Sequence, residues 1–269
     1  MKKNKSSYCI FLVLFASLFA NAQNFSAGLD EKKAGMLLEK VRTQQATEDE
    51  KKALQEMALA AQNSGQWFDE RNHDYKKSMQ NIDHAIVFYT ALGDTLNLAF
   101  NKKYKGHLLV RLGKLPAAKN EIQAAVYLYQ LSNTGAGVAA AQFELARIFE
   151  YENKADSAVY YAGLSRAYWQ LQENNLQLVV INNMLVYHLL QLNQTEKAQS
   201  VYQASQLLLK KQAVHWQPLL DFYFTAMLLY RQINDMSGAN RYRDLYYNKK
   251  AELQAQGITA RSYYERDGQ

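Results

Sequence analysis

Four stretches of the chain align at a spacing of 40 residues: LAFNKKYKGHLLVRLGKLPA (98–117), VAAAQFELARIFEYENKADS (138–157), LVVINNMLVYHLLQLNQTEK (178–197) and PLLDFYFTAMLLYRQINDMS (218–237). In this alignment one position holds only small or β-branched residues, namely Gly106, Ala146, Val186 and Ala226. Small side chains at a shared position allow two helix axes to approach to about 8 Å. A repeat of this length is typical of stacked helical hairpins, in which each hairpin packs only on its neighbours.

Two further features recur with the repeat. Gly and Asn residues, which tolerate the left-handed conformation that ends a helix, are predicted to form the bend of each hairpin. The prolines of the chain, Pro116 and Pro218, fall in the expected first turns of helices, where a missing N–H costs nothing. The bends are predicted at Gly113, Asn153, Asn193 and Asn234, with Thr195 and Asp235 as helix N-caps. A second row of small residues consists of Ala118, Ala158, Ala198 and Gly238.

The spacing of small and apolar residues resembles the tetratricopeptide repeat over residues 48–256, with Leu109, Phe149, Leu189 and Leu229 at an apolar position of that motif. The period of 40 exceeds the usual length of about 34 residues, so each hairpin is about 9 Å longer in total. The resemblance implies an all-α fold, a right-handed α-solenoid of about five antiparallel hairpins with long helices. The chain departs from the motif where its early Trp is replaced by Lys102, Gln142, Asn182 and Phe222.

The chain is predicted to have four parts. Thr47 and Glu50 form a capping box at the start of the solenoid. The first solenoid helix is expected to end near Gly65, and residues 66–74 to form a wide hairpin loop. The C-terminal tail is expected to be disordered, with folding back into a groove as the alternative. The four parts are a signal peptide (1–22), an N-terminal lead and helix (23–47), the helical solenoid (48–256) and the polar tail (257–269).

The N-terminus has the pattern of a secretory signal. Three lysines within the first five residues precede an apolar run of 11 residues (10–20), and Ala20 and Ala22 supply a small–x–small cleavage site. Eleven apolar residues are too few for a bilayer span, which needs about 20; an uncleaved anchor is the alternative. Cleavage would also remove Cys9, the single cysteine. We therefore expect an exported chain without disulfides or a membrane span, located in a bacterial periplasm, with secretion as the alternative.

The charge of the chain argues against nucleic acid as a partner. The formal net charge is +6 at pH 7. Without the three signal lysines, 28 basic and 25 acidic residues remain, a net charge of +3. A balance of this size contributes to solubility and lacks the concentration of positive charge that nucleic-acid binding requires.

A peptide-binding groove is implied by the resemblance, because the first helix of each hairpin lines the concave face in that superfamily. The side chains at the implied positions combine aromatic rings with a few polar groups, which suits an extended or helical peptide. As an alternative, the aromatic rings fill space between long helices while Lys103 and Arg147 point to water. The predicted groove residues are Lys103, His107, Phe143, Arg147, Asn183, Tyr187, Tyr223 and Tyr230.

No catalytic constellation is present in the sequence. The five histidines lie at least 11 residues apart, so no two share a helical face at metal-ligand spacing. Asp69, Glu70 and His73 are close together, but in a loop we expect them to be solvated. A glycine-rich phosphate loop and a nucleophile elbow are both missing from the sequence. We therefore predict no catalytic residue, no cofactor and no metal site, and a protein that is not an enzyme.

The sequence favours a non-catalytic scaffold or adaptor that binds a protein or peptide, in a periplasmic or outer-membrane assembly. A ligand-sensing module that acts with a separate membrane signalling partner is the alternative. An all-helical enzyme is the least favoured class, because it requires converging carboxylates or histidines that the spacing does not supply.

Overall fold

The computed structural model describes residues 31–70, 73–211 and 214–265, and these residues form helices and short connections without any strand. The predicted all-α class is therefore confirmed. The helices are α1 (Glu31–Arg42), α2 (Glu48–Glu70), α3 (Tyr75–Leu92), α4 (Thr95–Arg111), α5 (Leu115–Leu131), α6 (Gly135–Tyr151), α7 (Ala155–Leu171), α8 (Asn175–Gln191), α9 (Thr195–Lys211), α10 (Trp216–Gln232) and α11 (Met236–Ala255).

The helices from α4 to α10 have a uniform length of 17 residues. At 1.5 Å per residue each is about 26 Å long. Within each unit, consecutive helices pack against each other as antiparallel neighbours joined by short turns, so the α-solenoid of long hairpins is confirmed. The hairpin pairs in contact are α2 with α3, α4 with α5, α8 with α9 and α10 with α11, and α1 packs on α2 and α3.

The chain divides into two compact units between Gly137 and Val138. In the first unit, α2 packs on α3, α3 on α4, and α4 on α5. In the second unit, α7 and α9 both pack on α8, and α10 packs on α8 and α11. The helix α8 therefore lies at the centre of the second unit, and each residue from 181 to 190 is buried.

Close helix approach occurs at the predicted row of small residues. A Cβ added to Gly106 would lie 2.3 Å from Cγ1 of Ile122 and 3.2 Å from the carbonyl oxygen of Ala118. The other members of the row, Ala146, Val186 and Ala226, are buried as well. The α4–α5 crossing therefore depends on a residue without a side chain, because the facing helix fills the space that a side chain would need.

The predicted bends adopt the left-handed conformation. Gly113 has φ +71°, and the corresponding asparagines have φ between 56° and 59°. At one bend, Asn153 N donates to the carbonyl of Glu150 and Lys154 N donates to the carbonyl of Phe149, which satisfies carbonyls at the helix end. The three asparagines are Asn153, Asn193 and Asn234.

The first hairpin differs from its prediction. Helix α2 continues to Glu70, so neither the end near Gly65 nor the loop over residues 66–74 is correct. Gly65 lies inside the helix because it faces Ile82: an added Cβ would lie 2.7 Å from the Ile82 side chain. Asp69 is also buried rather than solvated, and accepts a hydrogen bond of 2.7 Å from the Tyr104 hydroxyl. The glycine thus provides a close crossing like that of Gly106, and not a helix stop.

The helix caps are partly as predicted. Thr47 N donates to Glu50 Oε2 at 3.0 Å and Glu50 N donates to Thr47 Oγ1 at 3.2 Å, which confirms the capping box. Asp235 caps α11 by accepting from Gly238 N at 2.9 Å. Thr195 is the first residue of α9 and not its N-cap, and its hydroxyl accepts from Gln232 Nε2 at 3.2 Å.

The last member of the second small-residue row is also displaced. Ala118, Ala158 and Ala198 are fully buried, whereas Gly238 is only partly buried and the adjacent Ala239 is 2% exposed. The bend at Asn234 follows Asn193 by 41 residues instead of 40, so the following helix is shifted by one residue.

The expected disorder of the C-terminal tail is wrong for its described part. Residues 257–265 fold back onto the second unit, and Ala260, Ser262 and Tyr264 are each buried. The predicted signal peptide (1–22) lies outside the described residues, as do residues 266–269 of the tail. Among the helices that the structure describes, none combines the length and the apolar character that a bilayer crossing needs.

Candidate functional site

A cleft in the second unit, with a volume of about 740 Å³, lies between three helices and the folded-back tail. We call it the tail cleft, and we call residues 257–265 the C-terminal segment. The helices α6, α8 and α10 contribute one wall each, and the C-terminal segment forms the remaining side. Outside the C-terminal segment the cleft is lined by the helix residues Phe143, Arg147, Glu150, Tyr151, Val180, Met184, Gln217 and Asp221 and by Asn153 at the bend after α6.

The central helix α8 fixes the position of these walls through buried polar side chains. Asn183 Nδ2 donates to the carbonyl of Pro218 at 2.9 Å, which ties α8 to the first turn of α10. Asn182 Oδ1 accepts from Arg166 Nε at 2.8 Å, which ties α8 to α7. Since a buried polar group without a partner is costly, these two bonds favour one arrangement of α7, α8 and α10.

Two side chains on α10 bind the main chain of the C-terminal segment. Asp221 Oδ1 accepts from Tyr263 N at 2.7 Å and from the Ser262 hydroxyl at 2.9 Å. Gln217 Nε2 donates to the carbonyl of Arg261 at 3.0 Å and to Asp221 Oδ1 at 3.1 Å. Residues four apart lie on one helical face, so Gln217 and Asp221 together contact three consecutive residues, through the backbones of Arg261 and Tyr263 and the side-chain hydroxyl of Ser262.

Tyr246 on α11 binds the backbone N–H of Ser262 and the side chain of Glu265 in the C-terminal segment. The Tyr246 hydroxyl accepts from Ser262 N at 2.9 Å and donates to Glu265 Oε2. Lys250 Nζ lies 3.3 Å from the same carboxylate. The side chain of Tyr246 is almost fully buried, so its hydroxyl is positioned precisely for both hydrogen bonds.

The two adjacent tyrosines of the C-terminal segment contact different walls. The ring of Tyr264 stacks on Tyr187 of α8, with centroids 4.8 Å apart and an interplanar angle of 27°, and only 4% of Tyr264 is exposed. The guanidinium of Arg147 lies 5.7 Å from the centroid of the Tyr263 ring, a cation–π contact. Arg147 also pairs with Glu144 at 3.3 Å.

Burial raises the pKa of several groups in the cleft. Loss of hydration raises the pKa of Asp221 to about 6, although hydrogen bonds from Tyr263, Ser262 and Gln217 favour the charged form. The charge of Glu150 on α6 adds to the rise. Burial also raises the pKa of Tyr263 and Tyr264, so both hydroxyls stay protonated at neutral pH.

A buried Glu–His pair lies beside the cleft. Glu150 Oε1 is 3.4 Å from His188 Nε2, and His188 Nδ1 contacts Gln191 Oε1 at 2.8 Å. Among the residues that the structure describes, Glu150 Oε2 has no hydrogen-bond partner. Over the same residues, no group of three His, Cys, Asp or Glu side chains is arranged to hold a metal ion.

Six of the eight predicted groove residues belong to the second unit. Phe143 and Arg147 line the tail cleft, and Asn183 and Tyr187 are buried where they support it. Tyr223 and Tyr230 lie instead in an aromatic cluster around Tyr242, at centroid distances of 6.3 and 5.4 Å. This arrangement corresponds to the alternative in which aromatic rings fill space between long helices.

The remaining two predicted groove residues belong to the first unit. Lys103 lies over the ring of Phe100 at 5.5 Å. His107 Nε2 accepts from Arg111 Nε at 3.0 Å. Each of them contacts a side chain of its own helix, α4.

Sequence reasoning missed the groups that bind the C-terminal segment, namely Gln217, Asp221 and Tyr246. One signal was present: Asp221 is the only carboxylate in the apolar helix α10. A lone acid among apolar residues is costly to bury unless it has partners. Its donors, Ser262 and Tyr263, lie about 40 residues away and show no pattern that relates them to Asp221 in the sequence.

No protein-family model and no curated protein matches the sequence. The chain is similar in structure to BtubC (BKLC) from P. vanneervenii, with a TM-score of 0.67, 16% identity, and coverage of 91% of this chain and 97% of that chain. It is also similar to the TPR-like repeats of a putative kinesin light chain from Podosopora anserina, with a TM-score of 0.59, 12% identity, and coverage of 76% and 98%.

Identities of this size relate folds and not activities. The structural similarity agrees with the long antiparallel hairpins, the close crossing at Gly106 and the left-handed bends described above. The fold of this chain is therefore the TPR-like α-solenoid.

Proposed function

We propose that this protein is an exported, non-catalytic scaffold that binds an extended segment of a partner protein in the tail cleft. The observation that carries the proposal is the way the cleft holds the C-terminal segment. Side chains from α10 and α11 pair with the backbone N–H groups of Ser262 and Tyr263 and with the carbonyl of Arg261. Backbone pairing combined with places for aromatic side chains is a general mode of peptide recognition.

Two features of the cleft suit a peptide better than a small reactive substrate. Two of its polar side chains, Gln217 and Asp221, are engaged with backbone atoms. Beside them the ring of Tyr264 stacks on Tyr187, and aromatic side chains supply much of the energy at protein interfaces.

Site-specific photo-crosslinking in the native host tests this function. A photoreactive phenylalanine analogue at Phe143, which lines the cleft, is expected to form a discrete adduct with a partner protein. The matched control places the same analogue at Tyr160 of α7, which is 61% exposed and outside the cleft. Equal adducts at both positions, or none at Phe143, would contradict binding in the cleft.

Export is tested on the same preparation. The pattern of residues 1–22 supports cleavage after Ala22. The expected result is a periplasmic chain whose intact mass corresponds to an N-terminus at Gln23. A cytoplasmic chain that retains its first 22 residues would contradict export.

A further inference from the structure

The C-terminal segment is held in the way a separate peptide would be. The polar backbone atoms described above pair with side chains of α10 and α11. Gly257 N and Ile258 N donate to carbonyls at the end of α11, and within the segment Glu265 N donates to the carbonyl of Ser262 at 3.2 Å. The segment therefore needs no regular secondary structure of its own in order to bind.

The connection to α11 is short and bends sharply. Helix α11 ends at Ala255, and Gly257 has φ +78°, which reverses the chain. The link to the first bound group, the carbonyl of Arg261, is therefore only a few residues long. A tether this short gives the segment an effective concentration of about 1 mM at its own site.

We propose that the C-terminal segment is a resident ligand that closes one side of the tail cleft and covers the binding groups of α10 and α11, so that a partner must displace it with a peptide of the same chemistry. This inference rests on the proposed function, since it names what the binding site recognises and how access to the site is regulated.

The contacts define that chemistry one residue at a time. In the partner peptide, a residue with a hydroxyl side chain takes the place of Ser262 and donates a hydrogen bond to Asp221, as Ser262 does. Two adjacent aromatic residues follow: the first lies against Arg147, and the second enters the buried position on Tyr187. An acidic residue comes next, where the Tyr246 hydroxyl and Lys250 bind its carboxylate, as they bind that of Glu265.

Competition with the tethered segment determines how weakly the intact chain binds a free peptide. If the free peptide binds an open cleft with a Kd of about 10 µM, a tether at about 1 mM raises the apparent Kd in the intact chain about 100-fold. Changes in the segment that undock it and leave the helix walls of the cleft unchanged remove this penalty. Tyr264→Ala deletes the ring that stacks on Tyr187. Ser262→Pro removes the N–H that donates to the Tyr246 hydroxyl and the side-chain hydroxyl that donates to Asp221.

Fluorescence anisotropy tests the proposal with a labelled, amidated peptide of residues 257–265 and the intact mature chain. The Tyr264→Ala and Ser262→Pro variants are expected to bind the peptide 10- to 100-fold more tightly than wild type. Thr259→Ala, at an exposed position of the same segment, is the matched control and should bind as weakly as wild type. Adding Tyr246→Phe to Tyr264→Ala should weaken binding about tenfold, because Ser262 N of the peptide loses its acceptor.

Three results would overturn the inference. The first is tight binding of the peptide by wild type, which would mean that the cleft is open. The second is weak binding by both opened variants with native helicity in circular dichroism, which would mean that the segment is no ligand. The third is a concentration-dependent dimer of wild type in light scattering that Ser262→Pro abolishes, which would place the segment in a second copy.

These outcomes are separate from a failure of the proposed function. If the opened variants bind the peptide but Phe143 forms no adduct with a host protein, the cleft is self-occluded without being a partner site. If Phe143 forms the adduct but no variant binds the peptide, the cleft is a partner site that the segment does not regulate.

Discussion

Replacing Gly106 by alanine is expected to lower the free energy of unfolding by about 1 kcal/mol. The new Cβ would lie 2.3 Å from Ile122 Cγ1, which is a branch atom close to the backbone and not a flexible chain end. Overpacking of this kind costs about 1–3 kcal/mol. The better helix propensity of alanine, about 1 kcal/mol, offsets only part of that cost, because the carbonyl of Ala118 at 3.2 Å also restricts the movement of α5.

Gly163 in α7 provides a matched control for the same substitution. A Cβ added there meets nothing within 4 Å. Gly163→Ala should therefore raise the free energy of unfolding by about 0.5–1 kcal/mol through helix propensity alone. Urea unfolding followed by circular dichroism measures both variants. Stabilisation of similar size by both substitutions would show that α4 and α5 do not cross closely at Gly106.

Replacing Asp221 by asparagine is expected to stabilise the chain at pH 7.5 by about 1–2 kcal/mol. Asparagine keeps the Oδ1 acceptor for Tyr263 N, the Ser262 hydroxyl and Gln217 Nε2, and it removes a buried charge. The pKa of Asp221 is about 6 in the folded chain, against an ordinary value of 3.8. Between these values the folded chain holds a proton that the unfolded chain releases.

The sign of the pH dependence follows from this difference in bound protons. As pH rises through the window from about 4 to 6, wild type loses stability relative to Asp221→Asn, and the full difference is present above about pH 6. Urea unfolding of both chains at pH 4.5 and 7.5 measures it. Asp244→Asn, which changes an exposed carboxylate on α11, should shift stability by less than about 0.5 kcal/mol at either pH. A difference that is equal at both pH values for Asp221→Asn would contradict burial of the ionised carboxylate.

The repeat could be predicted because its determinants are local. Gly106 indicates a close helix crossing because it has no side chain, and Asn153 indicates a bend because asparagine tolerates the left-handed conformation. The recurrence of such residues every 40 positions fixes the phase of the hairpins. The first hairpin was mispredicted because Gly65 lies one residue before the position that the 40-residue spacing assigns to it. A glycine in a helix crossing and a glycine that ends a helix look the same in one sequence.

The candidate site could be predicted only in part, because it depends on contacts between distant residues. The groove positions of Phe143 and Arg147 follow from the hairpin register, but the stack of Tyr264 on Tyr187 has no sequence pattern. The polar composition of the tail suggested disorder, as low hydrophobicity often does. Two tyrosines and a buried carboxylate partner on another helix outweigh that tendency.

Hydrogen–deuterium exchange of the intact chain tests most directly the central claim that the C-terminal segment is bound to α10 and α11 and closes one side of the tail cleft. Ser262 N donates to the Tyr246 hydroxyl and Tyr263 N donates to Asp221 Oδ1. In peptic fragments that cover residues 258–265, these two amides should therefore exchange far more slowly than in a free chain, and at similar rates to each other. Ser262→Pro should abolish this protection at Tyr263. Exchange of these amides in the wild-type chain at the rate of an unstructured peptide would contradict the account.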